Sequence, residues 1–280
     1  MKILITGISG FLGRNLLKYL KDNNELYGLD MEESMIDQVK VYSSTKIMDI
    51  DITPDVVIIC HGAVAYSNVV IPNKTLFFSN VDLTEKILMK FNNSFFIYVS
   101  TASIYLKNNE LITERSYINP QSQYATSKFW AEQLVLSNSY SSVIRLSSIY
   151  GIGMKENTLI PNYINQALKN HRMEVWGNGS RLQNYIHVID VAKYIERIFL
   201  KPQACIGKVL LGVSNREYSN LDVSMIVGGL IDSEIKFVNQ DDSISLRYNN
   251  EYTRNILGLR DGTTIENGIE EYVSWKRKQF

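Results

Sequence analysis

The sequence predicts an α/β protein, a doubly wound parallel sheet with a smaller α/β unit formed mainly by the C-terminal part. Three observations carry this. Short apolar runs alternate with amphipathic stretches through the first half of the 280 residues. Several runs, such as Val56-Val57-Ile58-Ile59, are apolar on consecutive residues, as strands covered on both faces require. Gly7, Gly10 and Gly13 fall between the first apolar run and the first amphipathic one, in the order strand, tight turn, helix.

Taken in order, Ile3-Leu4-Ile5 sits in a strand at 2–6, and a helix follows at 11–22. Further strands are predicted at 25–29, Lys46-Ile47-Met48, 56–59, 95–99 and Ser142-Val143-Ile144, with helices at about 79–91 and 122–138. Thr6, Asp30, Asp49, His61 and Ser100-Thr101 each come just after a strand. They therefore gather at the carboxyl edge of the sheet, where such folds bind ligands. After Tyr150-Gly151 the texture changes. Leu159 to Lys169 reads as a helix with Pro161 in its first turn, Gly177 to Ser180 as a turn, and Asp190 to Leu200 as a helix with Asp190 as N-cap. Lys208 to Val213 and Glu234 to Val238 read as strands, followed by helical patterns at 220–231 and 264–277. The expected division is residues 1–151, with a return segment at about 184–204, against about 152–183 plus 205–280.

Composition narrows the function classes. The hydrophobic fraction of 45% and charged fraction of 21% are those of an ordinary globular protein. A formal net charge of zero offers no electrostatic case for nucleic acid or a membrane surface. No apolar stretch reaches membrane-spanning length, and the first apolar run is too short and glycine-broken for a secretory signal. Cys60 and Cys205 make no disulfide framework, and His61, His171 and His187 have no metal-ligand spacing, so no metal is expected. The reading is a cytoplasmic protein. His187 reads as a packed strand residue, and Trp176 and Trp275 as core or contact aromatics.

The glycine turn carries the cofactor. A strand–glycine turn–helix unit lets backbone N–H groups approach a pyrophosphate, whose charge then meets the positive helix terminus. Alone, the triplet fits any α/β turn. Its context favours a Rossmann-type dinucleotide site. A second run, Leu26-Tyr27-Gly28-Leu29, ends in Asp30, about 20 residues on, where an acid accepts hydrogen bonds from a ribose. Met31, Glu32 and Glu33 follow, and no cation comes before Lys40, so the charge balance favours NAD over NADP.

Tyr124 and Lys128 stand one helical turn apart on one face. A lysine charge and an oxidised nicotinamide both favour phenolate, which can take a proton from a substrate hydroxyl as hydride leaves the same carbon. The spacing by itself is not specific: among 17 tyrosines it recurs at Tyr42–Lys46 and Tyr272–Lys276. Only Tyr124 follows a polar strand end closely, that of Ser100-Thr101-Ala102-Ser103. A hydroxyl there could hold the reacting oxygen or simply cap the strand. No Walker loop or G-x-S-x-G elbow is found.

These motifs together resemble the extended short-chain dehydrogenase/reductase family, in its NAD-dependent epimerase/dehydratase branch, nearly end to end. Thr6-Gly7 through Gly13 is similar to the family's cofactor fingerprint, which places Gly7, Gly10, Phe11, Leu12 and Gly13 at the cofactor with Asp30 at the ribose. By the same resemblance Asp49-Ile50 contacts the adenine. His61-Gly62-Ala63 lines the pyrophosphate and nicotinamide ribose, and Asn80 orders the central helix. Ser100 to Tyr105 resembles the active-site strand, with Thr101 as the hydroxyl and Tyr124 and Lys128 as the catalytic pair; Lys128 also touches the cofactor. Arg145 to Gly151, Gly177 to Val191 and the ending Leu257 to Trp275 resemble the rest of the signature. Ala102, Ser103, Ser148, Arg181 and Gln183 then face the substrate.

The branch usually acts on nucleoside-diphosphate sugars, mostly at C4. Two departures matter. Dehydratases carry an Asp-Glu pair directly after the threonine, where this chain has Ala102-Ser103, so dehydration is not expected. The diphosphate arginine is Gln183 here, with Arg181 two residues away, and none is evident at Asn239. The expected activity is a sugar-nucleotide epimerase; a 4-ketoreductase is the alternative, then a reductase of non-nucleotide substrates or a non-catalytic NAD-binding protein. The resemblance also implies a homodimer formed through the Val81–Phe91 and Tyr124–Ser137 stretches.

Overall fold

The computed structural model describes residues 1–64, 70–106, 110–260 and 262–279. Its centre is an eight-stranded sheet in the order Val209–Gly212, Ser141–Leu146, Phe95–Thr101, Val56–Ile59, Lys2–Thr6, Glu25–Asp30, Val39–Ser43, Ser34–Ile36. All neighbours are parallel except the last pair, which forms an antiparallel edge. The order runs outward in both directions from the first strand. That reversal opens a crevice at its carboxyl end, between the edges carrying Asp30 and Ile59.

Strand alternation builds two cores. Ile3, Ile5, Val56, Ile58 and Ile97 face one side, under the helices Phe11–Leu20 and Val188–Leu200. Leu4, Val57, Ile59, Phe96 and Tyr98 face the other, under Leu83–Lys90 and Gln123–Leu136. Both faces are thus buried, which is why these strands lack polar alternation. A further apolar cluster joins the helices Leu159–Asn170, Asn220–Leu230 and Ile265–Arg277 with the parallel pair Arg172–Trp176 and Glu234–Val238. A three-stranded sheet of Glu217–Ser219, Leu182–His187 and Ser148–Tyr150 completes this side. Among the described residues no helix is long and apolar enough to cross a membrane.

Four expectations are corrected. Lys46-Ile47-Met48 lies in the 3-10 segment Ser44–Asp49, and the strand is Val39–Ser43. Only Ile47 of the three is buried, which suits a turn rather than a covered strand. Val209–Gly212 closes the edge of the large sheet beside Ser141–Leu146, instead of belonging to the smaller unit. Cys205 and Leu210 accordingly pack into the first core. The helix predicted from Asp190 starts at Val188; Asp190 lies in its first turn and accepts from Lys193 Nζ (2.9 Å) and Thr263 N (2.6 Å). Trp176 is 56% exposed rather than a core aromatic.

Candidate active site

Two adjoining clefts share Gly7, Gly10, His61 and Gly62 along the carboxyl edge of the sheet. The inner one, about 570 Å³, brings together the glycine turn, Thr101, Tyr124 and Lys128. The outer one, about 400 Å³, contains Asp30 and Ala63.

The turn is shaped for close approach. Gly7 has φ +65°, and a Cβ there would stand 2.8 Å from the His61 Cα. A Cβ at Gly13 would come within 2.3 Å of the Gly7 carbonyl oxygen, so the helix packs onto the turn only with glycine. No side chain caps the Phe11–Leu20 helix at Gly10, which leaves its first amides for an anion. Asp30 ends its strand at the outer cleft, and its Oδ2 accepts from Ser9 N (3.0 Å) and Ser9 Oγ (2.5 Å). In the inner cleft, Ser100 Oγ is buried with no hydrogen-bond partner. A dinucleotide fits these groups: a glycine cradle and helix terminus for its pyrophosphate, Asp30 for a ribose, and an orphaned hydroxyl beside Tyr124 and Lys128 for a polar group at its reactive end.

Ser122 caps the Gln123–Leu136 helix through Ala125 N (3.1 Å), which sets Tyr124 in the first turn. A phenolate there gains from the helix dipole. Lys128, one turn on, is 4% exposed, with Nζ 4.2 Å from the Tyr98 ring centroid. Burial pushes its ammonium down to about 7, against the smaller opposing pull of Cys60 and Glu132. Asn80, in the π-helical segment Phe77–Asp82, ties the helix in place by accepting from Ala63 N (2.8 Å) and donating to Ser127 Oγ (2.8 Å). Thr101 Oγ1 caps the short turn after its strand, accepting from Ser103 N at 3.1 Å. His61 is half-buried as a residue, but its ring is enclosed, with Nδ1 2.7 Å from Thr6 Oγ1 and Nε2 3.3 Å from Thr84 Oγ1. Burial first, then the Lys128 charge, pushes it down to about 3, so the imidazole is neutral beside the turn.

Of the residues singled out from the sequence, Gly7, Gly10, Phe11, Leu12, Gly13, His61, Gly62, Thr101, Tyr124 and Lys128 line the inner cleft. Others do not reach either cleft. Asp49 is exposed, Ile50 belongs to the second core, Ala102 is buried, and Ser103 bonds back to Thr101 at 2.9 Å. Ser148 is exposed on its strand while its neighbours Ser147 and Ile149 line the cleft. Gln183 donates to Asn220 Oδ1 (2.8 Å), and Arg181 Nε is buried without a partner. Cys60, Lys155 and Thr158 on the inner cleft and Ser44 on the outer one were not signalled. They reach it through loops whose path the sequence pattern does not encode.

The buried cation yields a prediction. Lys128→Met keeps the side-chain length and removes the charge. The unfolded chain holds this proton up to about pH 10.4, whereas the folded protein releases it near 7. Wild-type stability in the absence of cofactor therefore rises with pH between these values. The variant should lose that slope and be more stable at neutral pH by about 1–2 kcal/mol, while turnover collapses; denaturant titrations at several pH values read out the stability.

Fold and cleft define a class: an α/β dinucleotide-binding protein with a tyrosine, a lysine and a hydroxyl gathered at one cleft. The chain belongs to the NAD dependent epimerase/dehydratase family, whose model matches residues 3–210. It is 29% identical over 271 residues to a dTDP-D-glucose 4,6-dehydratase of Dictyostelium discoideum, a match covering 80% of this chain and 60% of that protein. It is also 29% identical over 217 residues to a GDP-6-deoxy-D-talose 4-dehydrogenase of Aggregatibacter actinomycetemcomitans, covering 72% of this chain and 71% of that one. The solved UDP-glucuronic acid 4-epimerase of Bacillus cereus with NAD shares the fold at a TM-score of 0.85 and 18% identity, over 100% of this chain and 99% of the other. The chain thus spans about 60% of the length of the slime-mould protein.

Proposed function

We propose that this chain is an NAD-dependent nucleotide-sugar epimerase that removes hydride from C4 of the sugar and returns it to the opposite face. The observation that carries this is the convergence of Thr101, Tyr124 and Lys128 on one cleft that continues into the cradle ending at Asp30. NAD, when bound, supplies the hydride acceptor. Tyr124 takes the proton of the C4 hydroxyl and returns it to the same oxygen after the keto sugar has turned its other face to the cofactor, with Lys128 favouring the phenolate and Thr101 positioning the oxygen. Asp30 at the outer cleft and the lack of a lysine or arginine between it and Lys40 in the sequence support NAD over NADP.

The three relatives carry names for three reactions, so likeness alone does not choose among them. Among the described residues lining the inner cleft there is no aspartate or glutamate. With Ala102-Ser103 after Thr101, an acid and a base for eliminating water are missing, which argues against dehydration. A 4-ketoreductase is the second reading, favoured by the likeness to the 4-dehydrogenase. The two differ in cofactor economy. An epimerase purifies with NAD bound and interconverts its substrates without added NADH; stoichiometric NADH consumption with a 4-keto sugar would refute the epimerase.

The nucleotide is testable without knowing the sugar. UDP, dTDP, GDP and CDP should be screened by thermal shift. The matching one, at 100 times its dissociation constant, should stabilise by about 2.7 kcal/mol, and no response to any of them points to a non-nucleotide substrate. The exposed Phe77, Phe78 and Trp130, with Phe77 and Trp130 ring centroids 5.6 Å apart, support a homodimer built on the two central helices.

A further inference from the structure

A third cavity, about 310 Å³, opens beside the N-terminus of the Val188–Leu200 helix and shares no lining residue with the catalytic clefts. We propose that it binds a small organic anion, with a phosphate or carboxylate group on an apolar body. Its size lies at the low end for small-molecule sites.

The argument starts from His187, the residue before that helix. Its side chain is 4% exposed, and Nδ1 has no hydrogen-bond partner. Nε2 lies 3.3 Å from a Glu271 carboxylate oxygen, but not in hydrogen-bond alignment. A buried donor or acceptor left bare is costly, and an absent ligand is one of the few explanations for it. The helix has no side-chain cap at this end.

The charge around the cavity matches an anion. Lys193, Arg216 and Arg260 line it against the single carboxylate of Asp190, three cations to one anion among the described residues; Asp261 lies outside them. Asp190 is already bonded to Lys193 Nζ and Thr263 N, so on this wall it does not neutralise Arg216 and Arg260, although Arg216 also borders Asp222 and Glu266 in an adjoining hollow. Arg216 stacks on Tyr218 with its guanidinium carbon 4.9 Å from the ring centroid, which holds its planar fork in place. Val213 and Ile265 supply apolar wall for the body of the ligand. The site is also pre-built: a Cβ at Gly262 would stand 2.6 Å from Asp190 Oδ2, so this loop lies close against the helix start.

With only three histidines in the chain, the His187 ring can be followed by NMR and assigned with His187→Gln. The groups facing it are Glu271, Asp190, Lys193 and the Tyr150 ring. Phenyl phosphate and benzoate are the probes, with neutral benzamide as control. The expected result is a saturable shift of the His187 resonances with at least one anion, no shift with benzamide, and an unmoved His61. The Arg216→Ala/Arg260→Ala double variant should weaken binding about tenfold or more. Both arginines are exposed, so that variant should melt like the wild type. A response to only one probe assigns the oxyanion. No saturable shift with either anion, an equal shift with benzamide, or unchanged affinity in the double variant would overturn the proposal.

Discussion

Tyr124→Phe is expected to lower turnover by roughly 10²–10⁴-fold while leaving NAD affinity and melting temperature near wild type. The phenol sits half-buried in the first turn of its helix, at the cleft wall. Its ring fills the same space as phenylalanine, so packing is retained. What disappears is the oxygen that carries the proton between substrate and protein. If the reading is right, the loss lies in kcat, and the remaining activity no longer titrates with the tyrosine. Tyr42→Phe is the control, because Tyr42 shares the spacing to a lysine but lies in the outer strand Val39–Ser43. That variant should turn over normally. Normal turnover by Tyr124→Phe with NAD still bound would remove the phenol from the mechanism. Loss of NAD binding would mean that the substitution damages the cradle instead.

The parts of this molecule legible in the sequence are those where one residue pattern admits one backbone solution. Gly7 and Gly13 could be read because a side chain at either would collide with backbone, so the turn and its ligand followed from absent atoms. The inner strands could be read because both faces are buried. Edge strands were harder. Val39–Ser43 and Lys46-Ile47-Met48 each mix apolar residues with a lysine, so composition does not separate them, and only the structure shows that Ile47 anchors a turn. Val209–Gly212 was recognised as a strand, but which sheet it joins depends on pairing 60 or more residues away, a contact that periodicity does not encode. The site divides the same way. Thr101, Tyr124 and Lys128 lie on a strand end and a helix that could both be predicted, and they meet at the cleft. Lys155 and Thr158 arrive on the loop before the Leu159–Asn170 helix, and Ser44 on the 3-10 turn after Val39–Ser43. Gln183, in the position where the resemblance expects a diphosphate contact, turns to Asn220 instead.

Glu132→Ala should destabilise the fold by about 3–5 kcal/mol, a large part of the roughly 5–15 kcal/mol that holds a domain together. Glu132 is fully buried on the helix of Tyr124 and Lys128, one turn beyond Lys128, and meets Arg145 on the strand beside Thr101. The pair is bidentate, with Arg145 Nη2 2.5 Å and Nε 3.2 Å from the two carboxylate oxygens. Arg145 Nη1 also donates to Tyr105 Oη at 2.7 Å, so the whole guanidinium fork is used. Removing the carboxylate leaves a buried cation with only neutral partners, Tyr105 Oη and the Glu114 carbonyl, which is why the single change costs more than the pair itself contributes. The reverse argument gives the stricter test. In Glu132→Met/Arg145→Met both charges leave together, and apolar side chains refill the space, so most of the lost stability should return. Urea unfolding of the wild type, Glu132→Met, Arg145→Met and the double variant closes the cycle. A Glu132→Ala protein as stable as the wild type would show that water reaches Arg145. A double variant no better than the singles would show that the site cannot repack. With stability recovered, the double variant also isolates what the clamp does for turnover, because it is a charged contact between the helix of Tyr124 and Lys128 and the strand neighbouring Thr101, added to the apolar packing of Ala131 and Val135 with Val143.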